Sequence, residues 1–133
     1  MAKRKNEAEE PQGAGIHAAL QKALAEMLVL YFLCQKPMYT YELIRQIRRH
    51  SDGVFAYNTL YIAIYRLQER GLIREDRKVV TEDNRTRVYF ALTEAGRAWL
   101  ARQRAEYRQT IDAMERLLAR DGRLLDGEAE QDG

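Results

Sequence analysis

The sequence predicts a mainly α-helical fold with one small β-hairpin and a long C-terminal helix. Apolar residues recur every three or four positions in residues 16–70 and again after residue 93, which is typical of amphipathic helices. Between these stretches, residues 72–92 alternate with period two, as a hairpin does. The length of 133 residues suits one modest core, and 46% hydrophobic with 32% charged residues indicates a folded chain.

The composition argues against several classes of protein. Cys34 is the single cysteine and His17 and His50 are the two histidines, which is too few for a disulfide framework or an ordinary zinc site. The longest unbroken apolar run, residues 27–34, is short of the ~20 residues of a membrane helix. No nucleophile–base set or glycine-rich phosphate loop is present. We therefore expect no catalytic residue, cofactor, metal or membrane association, and we expect Cys34 to be an inert core thiol.

The small net charge of +2 conceals an uneven distribution. Residues 39–120 hold sixteen Lys and Arg against eleven Asp and Glu, whereas residues 121–133 hold one Arg against five acids. A basic middle is typical of a nucleic-acid-binding domain, although solvated arginine-rich helix faces would give the same pattern. Residues 1–15 and 121–133 have little to bury, and we expect both to be flexible tails.

The first predicted helix covers Ile16–Gln35, and its second half is apolar on nearly every side. Such a helix needs cover from more than one direction, either from a partner subunit or from its own domain. Lys36–Pro37 ends it. Thr40 is the predicted N-cap of a second helix, which the turn residues Ser51–Gly53 terminate.

A third helix is predicted over Tyr57–Arg70, with Gly71 as its left-handed C-cap. Its core stripe consists of Leu60, Ile64 and Leu67. A second stripe, Tyr57, Tyr61 and Tyr65, is either a half-buried edge or a binding surface.

The hairpin is predicted to run from Leu72 to Leu92 around a turn at Glu82–Asn84. In its second strand Val88, Phe90 and Leu92 share one face, and Arg85, Arg87 and Tyr89 share the other. Arg77 and Lys78 add positive charge on the opposing strand.

Thr93 is the predicted N-cap of the last helix, which extends to about Arg120. Leu100, Tyr107 and Met114 recur every seven residues, and Ile111 and Leu118 lie beside them. This spacing favours a seam between two subunits. Packing against the first helix of the same chain is the alternative.

The order of three helices, a basic hairpin and a further helix is the layout of a winged helix-turn-helix. In that layout the third helix enters the major groove of DNA, and the hairpin contacts the backbone or the minor groove. Asn58 is suited to bidentate pairing with adenine, and Ile62 or Thr59 to contact with a thymine methyl group.

Three segments resemble the PadR family of small winged-helix transcriptional regulators. They are Thr59–Leu67, then Arg70–Ile73, then Arg85–Arg97, and Met38–Leu43 resembles the glycine-Tyr-Glu-Leu segment of that family. The resemblance covers about residues 24–100, and it implies a cytoplasmic homodimer, usually a repressor, on a pseudo-palindromic operator in double-stranded DNA. Its first and last helices would build the dimer, and some members bind a small-molecule effector between the subunits.

By position, Tyr61 and Thr59 match the family's Thr-Leu-Tyr motif, and Tyr41 matches the tyrosine of the second helix. The sequence departs from the family pattern in three features. Ile62 replaces a proline, Thr40 replaces a glycine, and Ala56–Tyr57 replace a Ser-Pro-type helix start, for which we expect Asn58 to supply the cap.

The resulting hypothesis divides the chain into a tail at 1–15, a winged helix-turn-helix domain at 16–92, a dimerisation helix at 93–120 and an acidic tail at 121–133. The predicted DNA-binding residues are Tyr41, Tyr57, Asn58, Thr59, Tyr61, Ile62, Tyr65, Lys78, Arg85 and Arg87. The predicted dimer-interface residues are Leu24, Leu28, Tyr31, Trp99, Leu100, Tyr107, Ile111, Met114 and Leu118. The alternative function is a winged-helix module that binds protein through its tyrosines instead of DNA.

Overall fold

The structure is a computed structural model that describes residues 15–123 and 125. The predicted tails at 1–15 and 121–133 therefore lie largely outside the described residues. The elements in chain order are α1 (Ile16–Leu33), β1 (Met38–Tyr39), α2 (Thr40–His50), α3 (Tyr57–Glu69), β2 (Ile73–Val80), β3 (Thr86–Leu92) and α4 (Glu94–Leu118). They confirm the predicted fold class of a mainly helical chain with a small β wing and a long last helix.

The chain divides into two compact units between Leu100 and Ala101. This division lies beyond the boundary predicted at residue 92, because the first turns of α4 belong to the winged-helix unit. The second unit is the remainder of α4 and the residues that follow it.

The core of the first unit is built from the apolar stripes of its helices. Leu30 of α1, Leu43 of α2, and Leu60 and Leu67 of α3 are fully buried in one cluster. No polar or charged residue is buried among the described residues, so this core has no internal charge to neutralise.

One side of α1 is covered by its own unit and another side is not. Among the described residues α1 is the one helix long and apolar enough, by length and composition, to span a membrane. The structure instead buries Ala25, Val29, Leu30 and Leu33 in the core. Tyr31, on another side of α1, is exposed. The winged-helix unit therefore buries only part of this apolar helix.

The wing is a three-stranded antiparallel sheet in the order β1–β3–β2. The sequence predicted β2 and β3 but not β1, because a two-residue strand is too short for a period-two pattern. β1 pairs Met38 with Phe90 and Tyr39 with Tyr89. Met38 and Phe90 are both buried in the core cluster, so this short strand attaches the wing to the helical body.

The end of α3 confirms the role predicted for Gly71. Gly71 has a φ of +74°, its N–H donates to the Gln68 carbonyl at 3.1 Å, and the Leu72 N–H donates to the Leu67 carbonyl at 2.9 Å. This pair of bonds is the Schellman motif. It stops the helix and turns the chain directly into β2.

Of the predicted helix caps, the one at Thr93 is confirmed. Its Oγ1 accepts the Gly96 N–H at 3.0 Å and its hydroxyl donates to the Gly71 carbonyl at 2.8 Å. The cap predicted at Thr40 is wrong, because Tyr39 ends β1 at the N-cap position and Thr40 is already helical. The cap predicted at Asn58 is also wrong: the N-cap of α3 is Ala56, and Asn58 lies inside the helix.

Arg70 connects three helices of the first unit. Its guanidinium donates to the Glu26 carboxylate of α1 at 2.6 Å and lies 4.8 Å from the centre of the Trp99 ring of α4. Arg70 directly follows α3, so its two contacts link the end of α3 to α1 and to the first turns of α4.

We predict that Gly96→Ala strongly destabilises the fold. A Cβ at position 96 would lie 2.0 Å from the backbone oxygen of Leu72, and a backbone atom cannot move aside as a flexible side chain does. Overpacking of this kind costs ~3 kcal/mol of the free energy of unfolding, measurable by urea denaturation at one fixed protein concentration. The exposed Ala98→Ser is the control, and equal stability of the two variants would contradict the close approach.

Candidate nucleic-acid interface

The outward side of α3 carries an unusual set of exposed side chains. Tyr61 and Tyr65 are each 60% exposed and Ile62 is 45% exposed, with exposed Asn58 beside them. The interpretation of this stripe as a half-buried edge is therefore wrong for Tyr61 and Tyr65. Large exposed side chains grouped on one helix face are typical of a binding surface.

Tyr57 and Thr59 lie at the two flanks of this face. The guanidinium of Arg48 in α2 lies 5.2 Å from the centre of the Tyr57 ring and donates to the Phe55 carbonyl at 2.7 Å. Thr59 is half-buried and lines a cleft of about 240 Å³ between α1 and α3. Tyr57 is thus directed towards α2 and Thr59 towards α1, whereas Asn58 points outward.

The start of α3 is anchored to α1 rather than capped. The Ala56 N–H donates to Oε1 of Gln21 at 2.9 Å. No side chain caps the helix and its first turn contains no acid. Its first N–H groups are therefore available to an acceptor such as a phosphate oxygen.

The start of α2 has similar properties. It has no side-chain cap bond, and Tyr41 in its first turn is 54% exposed. The guanidinium of Arg45, one turn later, lies 5.4 Å from the centre of the Tyr41 ring. A hydroxyl and a positive charge are thus placed together beside a helix N-terminus.

A β-bulge determines which residues share each face of the wing. Glu75 pairs with Phe90 and Arg77 pairs with Tyr89, so Asp76 is an extra residue in β2. The insertion shifts the alternation by one position. It places Arg77 on the face of Tyr89 and Arg87, and it places Lys78 on the opposite face with Val88.

Four side chains form a continuous stack on the Arg87 face. The Arg87 guanidinium lies 4.4 Å from the centre of the Tyr39 ring, the Tyr39 and Tyr89 ring centres are 5.4 Å apart, and the Arg77 guanidinium lies 4.3 Å from the centre of the Tyr89 ring. We call this set the Arg–Tyr stack. The predicted DNA-binding residues do not include Arg77, Tyr39 or Tyr89. The alternation of β3 does predict that Tyr89 shares the face of Arg87, whereas β1 and the bulge, which bring Tyr39 and Arg77 to it, have no sequence pattern.

A groove of about 470 Å³ joins the wing to the start of α2. Tyr39 and Tyr41 line one part of it, and Arg85, Thr86 and Arg87 line the other. Three of the predicted site residues, Tyr41, Arg85 and Arg87, are therefore brought together although they are distant in sequence.

The tip of the wing carries a local ion pair. The Arg85 guanidinium lies 3.5 Å from the Asp83 carboxylate, and the Thr81 hydroxyl donates to the same carboxylate. The hydrogen bond from Thr81 is the main cause that lowers the pKa of Asp83. Because Asp83 stays ionised, it offsets part of the charge of Arg85, and the positive charge of Arg87 is a smaller cause of the same lowered pKa.

The predicted dimer-interface residues divide into two groups. Tyr31, Tyr107, Met114 and Leu118 are exposed, and Leu24, Leu28 and Ile111 are half-buried. The placement of Leu100 at a seam is wrong, because it is 5% exposed and packed in the core of its own unit. Trp99 is likewise partly buried against that core and under Arg70.

Two other expectations concern cysteine and metal. Cys34 is exposed at the end of α1, so its assignment as a core thiol is wrong. Among the described residues no group of three His, Cys, Asp or Glu side chains is arranged to hold a metal ion.

Comparison with known proteins identifies the family. The model of the transcriptional regulator PadR-like family matches residues 29–102. The chain belongs to the PadR-like family. The matched segment runs from the second half of α1 through the wing to the first turns of α4, so it contains all of α2, α3 and the wing. The chain is therefore a transcriptional regulator of a DNA-binding family and not an enzyme.

Solved structures of PadR proteins have the same fold. A PadR family regulator from Eggerthella lenta is 28% identical, with a TM-score of 0.60, and the match covers 75% of this chain and 82% of that chain. A PadR family regulator from Clostridium difficile is 26% identical, with a TM-score of 0.62, and covers 71% of this chain and 98% of that one. A PadR-like regulator from Bacillus cereus is 23% identical, with a TM-score of 0.64, and the match covers 75% of this chain and 96% of that chain. No curated protein matches the chain.

We predict that Glu69→Gln lowers the pKa of Tyr65. The hydrogen bond that the Tyr65 hydroxyl donates to the Glu69 carboxylate raises the pKa of Tyr65, because it favours the protonated phenol. Without that carboxylate the pKa should return towards the ordinary value of a tyrosine. The ring signals of Tyr65 in an NMR pH titration measure it, with Glu94→Gln as the control; an unchanged titration would show that the hydrogen bond does not form in solution.

Proposed function

We propose that this PadR-like regulator is a cytoplasmic homodimeric repressor that binds a pseudo-palindromic operator in double-stranded DNA. The observation that carries the proposal is the exposed polar-aromatic face of α3, in the same compact unit as the basic face of the wing. A helix and a basic hairpin placed side by side fit the major groove and the neighbouring backbone.

In this proposal α3 is the element that enters the major groove. Asn58 pairs with an adenine edge, Ile62 contacts a thymine methyl group, and Tyr61 donates to a phosphate. Tyr65 lies further along the helix beside Glu69, whose negative charge disfavours close approach to a phosphate. Tyr57 and Thr59, which are turned towards α2 and α1, act at the edges of the contact.

The start of α2 and the wing hold the DNA backbone in the proposal. Tyr41, Arg85 and Arg87 border one groove, and a backbone that passes along it meets a hydroxyl and two guanidinium groups. Lys78 extends from the other face of the wing, which suits a hairpin that enters a minor groove with phosphates on both sides.

The dimer in the proposal uses the apolar surfaces that each unit leaves exposed. These surfaces are the side of α1 that carries Tyr31 and the stripe of α4 that carries Tyr107, Met114 and Leu118. Two copies related by a two-fold axis read two half-sites, which is why the operator is pseudo-palindromic. A small-molecule effector bound between the subunits would change their relative orientation and thereby the DNA affinity.

Selection of bound sequences from a random pool of double-stranded DNA tests the proposal directly. We expect a pseudo-palindrome, bound with an affinity that falls steeply as salt concentration rises, because phosphate contacts release counterions. Absence of DNA binding at low salt would refute the proposal and favour the alternative, a protein-binding winged-helix module.

We predict that Arg87→Ala weakens binding to all DNA sequences alike. Each lost phosphate contact lowers the slope of log K against log salt concentration by ~0.9, so a dimer loses ~2. Fluorescence anisotropy at several salt concentrations measures the slope. Arg123→Ala, outside the winged-helix unit, is the control, and a loss confined to the selected operator would indicate contact with bases instead.

We predict that Ile111→Glu combined with Met114→Glu dissociates the dimer. The substitutions place two carboxylates on the apolar stripe of α4, where desolvation and like-charge repulsion oppose association. Sedimentation velocity should show a monomer with unchanged helix content. Gln109→Glu, on the opposite side of the helix, should stay dimeric, and a dimer in both variants would place the interface elsewhere.

A further inference from the structure

The Arg–Tyr stack connects all three strands of the wing. Tyr39 comes from β1, Arg87 and Tyr89 from β3, and Arg77 from β2. Each guanidinium covers the face of a tyrosine ring, and the two rings meet edge to face at an interplanar angle of 73°. Aromatic pairs prefer this T-shaped geometry. The two packed rings therefore lie between the guanidinium groups of Arg87 and Arg77 and restrict both.

The stack orders the two arginines without consuming their hydrogen-bonding capacity. A guanidinium that lies on a ring uses its flat face, and its N–H groups point outward in the plane of the group. Arg side chains otherwise lose much rotamer freedom when they bind a phosphate. Restricting them in the free protein removes part of that cost from the binding step.

Two of the nearby carboxylates pair with other arginines. Asp76, the extra residue of the bulge, lies 3.4 Å from the Arg74 guanidinium, and Asp83 lies beside Arg85. Within residues 15–123 neither Arg77 nor Arg87 forms an ion pair. The charge of Arg87 acts on Asp83 through space without an ion pair, so both guanidinium groups keep N–H donors for a partner outside the chain.

Tyr39 has a second structural role. Its backbone ends β1 and is also the N-cap of α2, immediately before the segment that contains Tyr41. The residue whose ring supports Arg87 thus pairs with β3 of the hairpin and also continues directly into α2 of the helical body. This attachment fixes the position of the wing arginine relative to the start of α2.

We propose that Tyr39 and Tyr89 are positioning residues that hold Arg87 and Arg77 as a preorganised pair of phosphate-binding groups on one face of the wing. The inference rests on the proposed function, since the ligand is the DNA backbone. The tyrosines act through the arginines and do not themselves contact DNA.

The experiment compares Tyr39→Leu with Tyr39→Phe on the operator selected with the unaltered protein. Phenylalanine retains the ring face that attracts a guanidinium, whereas leucine does not. We expect Tyr39→Leu to weaken binding by about fivefold to thirtyfold in the dimer, with little change in salt slope because the charges remain. Tyr39→Phe should bind as the unaltered protein does.

A double-mutant cycle separates positioning from direct contact. In an Arg87→Ala background, Tyr39→Leu should cause little further loss of affinity, because the group through which it acts is absent. A full additional loss would show that Tyr39 contacts DNA itself and would overturn the proposal. Equal affinity of Tyr39→Leu and the unaltered protein would overturn it as well.

A measurement on the unaltered free protein covers the case in which Tyr39→Leu does not fold. NMR should show the side-chain protons of Arg87 shifted upfield by the Tyr39 ring, and ordinary shifts for them would refute the stack. If the unaltered protein binds no DNA, the proposed function fails together with this inference. If it binds and the tyrosine variants are silent, only the inference fails.

Discussion

Burial of one side of α1 against α3 is the interaction on which the rest of the structure depends. Val29 and Leu30 of α1 and Leu60 and Leu67 of α3 are fully buried in the same cluster. Because these residues define the inner side of α3, they also determine that Asn58, Tyr61 and Ile62 point outward. The same packing covers only part of α1, so an apolar surface remains beside Tyr31. The core therefore orients both surfaces that a DNA-binding dimer requires.

Electrostatics in this protein depend on position more than on total charge. A net charge of +2 is small, yet the wing places Arg77 and Arg87 on one face, while Asp76 pairs with Arg74 and Asp83 with Arg85. Local ion pairs thus select which charges remain available. Attraction of a phosphate backbone depends on such local groups, because the contacts form within a few ångströms, where salt screens the charges only weakly.

The helices and their ends were largely predictable because their signals are local. The spacing of Leu60, Ile64 and Leu67, the glycine at position 71 and the threonine at position 93 each act through bonds or contacts within a few residues. The errors occurred where a partner distant in sequence decides the outcome. Thr40 is not a cap because Tyr39 is bound into a sheet with β3, and Leu100 is not at a seam because α4 begins against the core of its own unit.

The sequence by itself determined the helical fold class, the wing, the family and the tyrosine stripe of α3, since periodicity and motif order carry that information, and the structure showed that Tyr61 and Tyr65 of the stripe are exposed. Only the tertiary structure decided the composition of the basic face. The bulge at Asp76 moves Arg77 to the face of Arg87 and leaves Lys78 on the other, and β1 brings Tyr39 between them. A single inserted residue reverses the facing of a strand, and a two-residue strand has no periodicity, so neither can be deduced from local pattern. Both the position of the bulge and the presence of β1 are determined by pairing between strands, which satisfies backbone hydrogen bonds over long sequence separations.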